Sequence, residues 1–135
     1  MKKIFLFFTL VLSLVLTGCT SDKDYIDTVK SIVVEDVLYS NTTEELAVNA
    51  IGIAINKKID VSELTWKVDG KTRDGKVIVA DYNNNKVYFT TVKNGDYIEY
   101  TYSDIYIITA ENKKITLNEL YYTDVVNSFT NLFKQ

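Results

Sequence analysis

Thiolate, imidazole and carboxylate carry most nucleophilic, metal-binding and proton-transfer chemistry, and this 135-residue chain has one cysteine, Cys19, and no histidine. A Ser-His-Asp triad, an imidazole base and a zinc site of the usual ligands are therefore out of reach. Three carboxylates, Asp96, Glu99 and Asp104, lie close enough in sequence to suggest the paired acid and base of a glycan-cleaving enzyme. Solvent-facing charges that discourage strand pairing account for them equally well. Asp81, Asn83 and Asn85 have the spacing of the first oxygen ligands of a calcium loop, but Lys86 stands where the sharp-turn glycine belongs and Val92 where the bidentate Glu belongs. A hairpin turn is the reading for that stretch, and neither a metal nor another cofactor is expected. The remaining candidates are tyrosines, ten in all, of which Tyr88, Tyr97, Tyr100, Tyr102 and Tyr106 crowd onto neighbouring predicted strands. Tyr is an amphipathic anchor enriched at interfaces, so an exposed ladder of them makes a binding surface for protein or carbohydrate; packed under helices, the same rings are core.

Cys19 stands at the end of a layered N-terminus. Met1-Lys2-Lys3 is a short positive region, Ile4 to Leu16 an apolar run, and Thr17-Gly18 are small residues just before the cysteine. This is the layout of a secretory signal, and the apolar run is shorter than the roughly 20 residues a membrane-crossing helix needs. An uncleaved N-terminal anchor is the competing reading, and the polar run Thr20 to Asp24 has no stop-transfer charge cluster to favour it. Leu16-Thr17-Gly18-Cys19 resembles the lipobox of bacterial lipoproteins. That resemblance implies cleavage between Gly18 and Cys19, a diacylglycerol on the Cys19 sulfur and attachment to the cell membrane or outer membrane on its extracytoplasmic side. In a cell with two membranes, Thr20 rather than Asp after the cysteine resembles the outer-membrane sorting class. Only five residues separate Cys19 from Tyr25, a reach of about 20 Å when fully extended, so the domain is held near the bilayer.

If residues 1–18 are removed, Lys2 and Lys3 go with them and the formal charge falls from −3 to −5. An acidic body argues against nucleic acid or anionic lipid as a partner, since both require clustered Lys and Arg. With Cys19 acylated, no thiol remains for disulfide formation or catalysis.

The elements that would position these residues follow from periodicity and turn chemistry. Tyr25, Ile26, Val29, Ile32, Val33 and Val37 keep helical spacing across Asp24 to Tyr39. Thr42 with Glu45 is a capping-box pattern that opens a second helix, with Leu46, Ala47, Ala50, Ile51 and Ala54 on one face and Gly52 near its weak end. The period then changes to two: strands are expected around Leu64 to Val68, Val77 to Tyr82 and Val87 to Val92, punctuated by Asp69-Gly70, Asp74-Gly75, Asn83-Asn84-Asn85 and Asn94-Gly95. Asp96 to Ala110 reads as one strand with a bulge at Ser103-Asp104, placing Ile98, Tyr100, Tyr102, Tyr106 and Ile108 on a shared face, or as two strands joined there. Thr116 with Glu119 opens a final helix on which Leu117, Leu120, Tyr121, Val125, Phe129, Leu132 and Phe133 keep helical spacing.

The expectation is thus a signal segment at 1–18, a lipidated cysteine and tether at 19–24, and one α+β domain at 25–135. Within it, two N-terminal helices precede an antiparallel meander of about four strands, and a C-terminal amphipathic helix packs on one sheet face. In element order the body loosely resembles small secreted domains of the cystatin-like or β-lactamase-inhibitor-like kind, a likeness that licenses no function. The composition favours a non-enzymatic binding or assembly module, and the lipobox resemblance implies that its partner is an envelope protein near the membrane. The alternatives are a protective lipoprotein that blocks a receptor, toxin or phage component, and a carboxylate-dependent glycan enzyme. Mass spectrometry of the membrane-extracted protein should find an N-terminus at Cys19 carrying added acyl mass. Equal membrane retention of Cys19→Ser would count against the lipid anchor.

Overall fold

The computed structural model describes residues 21–133; Gly18 and Cys19 lie outside them. Among the described residues the chain is α+β, with three α-helices and strands that pair antiparallel. Helix α1 (Asp22–Ser31) starts where the Ser21 hydroxyl accepts from the Asp24 amide, with Asp22 and Asp24 in the first turn. It is shorter than its periodicity suggested. At Ile32 the backbone turns extended, and Val33 and Val37 fall on strand β1 (Val33–Val37), which pairs with β2 (Ser40–Thr42). β-branched residues lose less in a strand than in a helix, and here Val33 and Val34 take that option.

Helix α2 (Thr43–Ile55) begins as its capping pattern indicated: the Thr42 hydroxyl accepts from the Glu45 amide, while the Glu45 carboxylate accepts from the Asn41 amide. Asn56 closes it in the left-handed conformation, and the Lys57 amide donates back to the Gly52 carbonyl. Leu46, Ala47, Ala50 and Ile51 are all fully buried.

Five strands form the main sheet in the order β3-β4-β5-β8-β9: β3 (Thr65–Lys71), β4 (Lys76–Tyr82), β5 (Asn85–Thr90), β8 (Tyr106–Ile108) and β9 (Lys114–Thr116). The expected meander of about four strands is thus one strand short of this sheet. It also lacks two separate hairpins, β1-β2 and β6 (Val92–Asn94) with β7 (Tyr97–Glu99). The β4-β5 reversal is a two-residue loop in which Asn83 and Asn84 both take positive φ, with the Asn84 amide donating to the Asp81 carboxylate. The calcium-like stretch is therefore turn chemistry. At Ser103-Asp104 the chain makes a short 3-10 turn, Tyr102–Asp104, so the two-strand alternative holds and the single bulged strand does not.

Alternation along β4 and β5 sends Ile78, Ala80, Val87 and Phe89 under the helices. The helices that lie on this face are α1 and α2; the final helix, α3 (Leu117–Phe133), lies instead against α2 and follows directly from β9. The expectation that the C-terminal helix covers the sheet is thereby corrected, because α2 already fills that place. On the flank, the buried Tyr25 hydroxyl of α1 bonds the Thr91 hydroxyl, which in turn donates to the Lys76 carbonyl and ties α1 to the point where β5 gives way to β6.

That junction leaves no room at Gly75, where an added Cβ would stand 2.1 Å from the Thr91 carbonyl oxygen. Gly75→Ala should lower stability by about 1–3 kcal/mol or more, the usual cost of overpacking. A urea midpoint equal to the wild type would refute this account of the junction.

Candidate interaction surface

The tyrosines expected to share a surface are distributed over three environments. Tyr88 and Tyr106 are cross-strand partners on the sheet face away from the helices, their rings stacked with centroids 4.8 Å apart. The Lys114 ammonium sits 4.6 Å from the Tyr106 ring centre. Partial burial, followed by nearby charge, raises the hydroxyl pKa of both: Asp69 and Asp81 act on Tyr88, and Tyr88 and Asp69 act on Tyr106. Tyr97 lies on the β6-β7 hairpin and is exposed.

Tyr100 is core, only 3% exposed, edge-on to Tyr102 and tilted against Phe89. Its hydroxyl bonds that of Thr43, the first residue of α2, which also donates to the Ile32 carbonyl. The proposed ladder therefore reduces to the Tyr88-Tyr106 stack, and those two rings already cover one another. Of the three candidate carboxylates, Glu99 accepts from Asn94, Asp104 accepts from Thr101, and Asp96 occupies the β6-β7 turn. Among the described residues no group of three or more His, Cys, Asp or Glu side chains could hold a metal ion. Trp66 stacks on Phe89 at the margin of the core.

A different surface stands out on α3. Its start is the expected capping box, with the Thr116 hydroxyl accepting from the Glu119 amide and the Glu119 carboxylate accepting from the Thr116 amide. Leu117 and Leu120 are buried and anchor the first turn. Beyond them the helix is inside out. Positions 120, 124, 127 and 131 form the seam toward α2, and after Leu120 that seam is polar. Asp124 accepts from the Tyr39 hydroxyl, the Asn127 amide donates to the Ile53 carbonyl at 2.9 Å, and Asn131 and Asn56 exchange amide bonds at 3.2 Å each.

The reason lies in α2. The last carbonyls of a helix have no i+4 amide donor; α3 crosses α2 at such a carbonyl, that of Ile53, which accepts from the Asn56 amide in the cap and has a second lone pair open to a side-chain donor. A side-chain amide takes that place where a leucine could not. Between the two helices lies a cleft of about 470 Å³, lined by Tyr39, Asn49, Lys57, Asp124, Asn127 and others. Its Asn side chains already bond the backbone or one another: Asn49 donates to the Leu38 carbonyl and to the Ser40 hydroxyl.

With its polar side spent on α2, α3 turns Tyr121, Tyr122, Val125, Val126, Phe129, Leu132 and Phe133 to solvent, Tyr122 at 72% and Phe133 at 80% exposure. At 100° per residue these positions span an arc of about 140° and a length of about 18 Å. A surface helix ordinarily does the reverse, facing its apolar stripe to the core. The sequence pattern located this stripe but put it on the sheet; the polar seam at 124, 127 and 131, equally periodic, was the signal that it faces out.

The base of α3 is firmly held. Leu38 and Tyr39, the two loop residues of the β1-β2 hairpin, both take positive φ, 50° and 65°, which bulky side chains rarely adopt. α3 holds both of them: the Leu38 amide donates to the Tyr121 hydroxyl at 3.1 Å, and Tyr39 bonds Asp124. No family model matches the chain, and comparison with curated proteins and with solved structures likewise finds no match.

Burial raises the Tyr100 pKa well above the ordinary tyrosine value. Since the unfolded value is about 10, this group's contribution is fully present below about pH 10 and is lost as pH rises toward the folded value. The denaturant midpoint should fall above about pH 10 and fall less steeply in Tyr100→Phe. Identical alkaline slopes for the two proteins would overturn the assignment.

Proposed function

We propose that this chain is an extracytoplasmic lipoprotein, anchored through lipid on Cys19, whose single domain works without catalysis as a binding or assembly module at the membrane surface. The observation that carries the reading is the outward apolar face of α3. Exposed apolar residues scattered singly mean little, whereas a contiguous stripe of seven large ones marks an interaction site. Supporting it, the neighbouring polar groups are consumed in holding α3 in place, so the stripe is presented on a fixed support.

Anchorage would set where the module works. Helix α1 begins at Asp22, three residues after Cys19, so the folded domain would start within about 10 Å of the attachment point. Such a short connection favours a partner at the same membrane, a lipid-attached or integral envelope protein, over a diffusing ligand. A binding role also suits the side chains available. Without histidine, and with its lone thiol acylated, the mature body would have only carboxylates, Lys, Tyr, Ser and Thr for chemistry.

A photoreactive residue placed at Phe129 of the full-length protein in native membranes should give protein adducts on illumination, and the same residue at Lys67, exposed on the open sheet face, should not. Adducts from Lys67 alone would move the binding surface to the sheet. Adducts from neither position would remove the reading.

A further inference from the structure

We infer that the outward face of α3 is covered by α3 of a second copy of this chain, the two helices running antiparallel about a two-fold axis. This rests on the reading of that face as an interaction surface and names what fills it.

Size comes first. Aromatic side chains bury 150–250 Å² each, and by that scale the exposed parts of the stripe between Tyr121 and Phe133 amount to roughly 700 Å². A stable standard interface takes about 800 Å² from each partner, while the largest apolar patch on a typical monomer is about 300–600 Å². The stripe is therefore about one full side of a dimer interface. It is also predominantly apolar, and homodimer interfaces are more apolar than transient ones.

Charge selects the occupant and its direction. The acidic residues of α3, Glu119 and Asp124, fall in its first half, and no Lys or Arg occurs between Leu117 and Phe133. Helices that lie on a membrane surface carry Lys and Arg along their polar side. Here that side is acidic and amide-bearing and is already engaged with Ile53 and Asn56 of α2, so a bilayer is a poor match.

A parallel pair would bring the two Glu119, next to the edge of the stripe, to the same end of the contact; Asp124 faces α2 and lies off it. An antiparallel pair sets each acidic half beside the uncharged second half of its neighbour and opposes the helix dipoles. A two-fold axis near position 127 then sets Val125 of each copy against Phe129 of the other. Tyr121 of each copy faces Phe133 of the other. Such a contact is self-complementary and closes at two copies.

The test uses the full-length lipid-bearing protein extracted from membranes in mild detergent. Its protein mass should be twice that of one chain, and Val125→Asp with Phe129→Asp should halve it while leaving the circular dichroism spectrum unchanged, since both side chains are more than half exposed. Direction is read by disulfide trapping of differently tagged full-length copies, with the chain bearing Cys19 alone as baseline. Tyr121→Cys should couple to Phe133→Cys well above that baseline, and Tyr121→Cys should not couple to itself. A single-chain mass for the wild type overturns the self-pairing. If the Phe129 adduct then contains another envelope protein, or the double Asp variant partitions less into vesicles, the binding surface survives with a different occupant. If neither happens, both readings fall together. A double-mass species that traps Tyr121→Cys to itself overturns the antiparallel arrangement.

Discussion

Helix α2 is the constraint to which the rest of the domain answers. Its sequence is apolar nearly all round, and Leu46, Ala47, Ala50 and Ile51 have no contact with water, so every side needs a cover. The sheet supplies one through Phe89, Val87 and Ile107, and α1 supplies another. The remaining flank runs past the end of α2, where the backbone offers carbonyls as well as methyl groups. The residues of α3 that face this flank change from leucine to polar after the first turn: Asn127 donates to the Ile53 carbonyl, Asn131 exchanges amide bonds with Asn56, and Asp124 accepts from the Tyr39 hydroxyl of the neighbouring hairpin. The outward apolar face of α3 is the remainder of a helix whose inner side is polar.

That arrangement explains the strained hairpin as well. Positive φ at Leu38 and Tyr39 costs of order 1–3 kcal/mol per residue and persists only where neighbours over-determine it. The neighbours are identifiable: Leu38 is buried in the core, its amide donates to Tyr121, and the Tyr39 hydroxyl is held by Asp124. Asn49 adds a bond to the Leu38 carbonyl from α2. Hairpin, α2 and α3 are thus one cross-braced unit, and Tyr121 belongs both to the brace and to the edge of the exposed stripe.

What the sequence made legible follows from how local each signal is. The Thr116-Glu119 box, the Thr42 cap and the Asn83-Asn84 reversal are set by residues within four positions of one another, and all three are realised. The end of α1 was not legible, because Val29, Ile32, Val33 and Val37 fit helical spacing while two of them settle in a strand. The turn that makes this possible uses Leu38 and Tyr39 where Asn or Gly would have announced it. Tyr100 and Tyr106 looked equivalent by alternation, but the 3-10 turn at Tyr102–Asp104 changes the phase between them and sends Tyr100 under the helices. For α3 the periodicity was legible and the direction was not. An apolar stripe is drawn toward whatever covers it, and the α2 flank that decided the matter is more than 60 positions away in sequence.

An exposed stripe of this size is a liability for a freely diffusing protein, where it invites indiscriminate association. Confinement at a membrane changes the balance. Chains held by their N-termini within about 10 Å of one surface, as lipidation at Cys19 would hold them, meet at effective concentrations set by the surface, and linkage of that kind strengthens association by factors of 10² to 10⁴ without any new contact. The interface could then be apolar and modest yet still be filled, and it would be filled only by a partner presented at the same height above the bilayer. A short tether and an outward stripe are each unusual alone. If Cys19 is lipidated as proposed, together they would describe a surface that is satisfied when the chain is anchored.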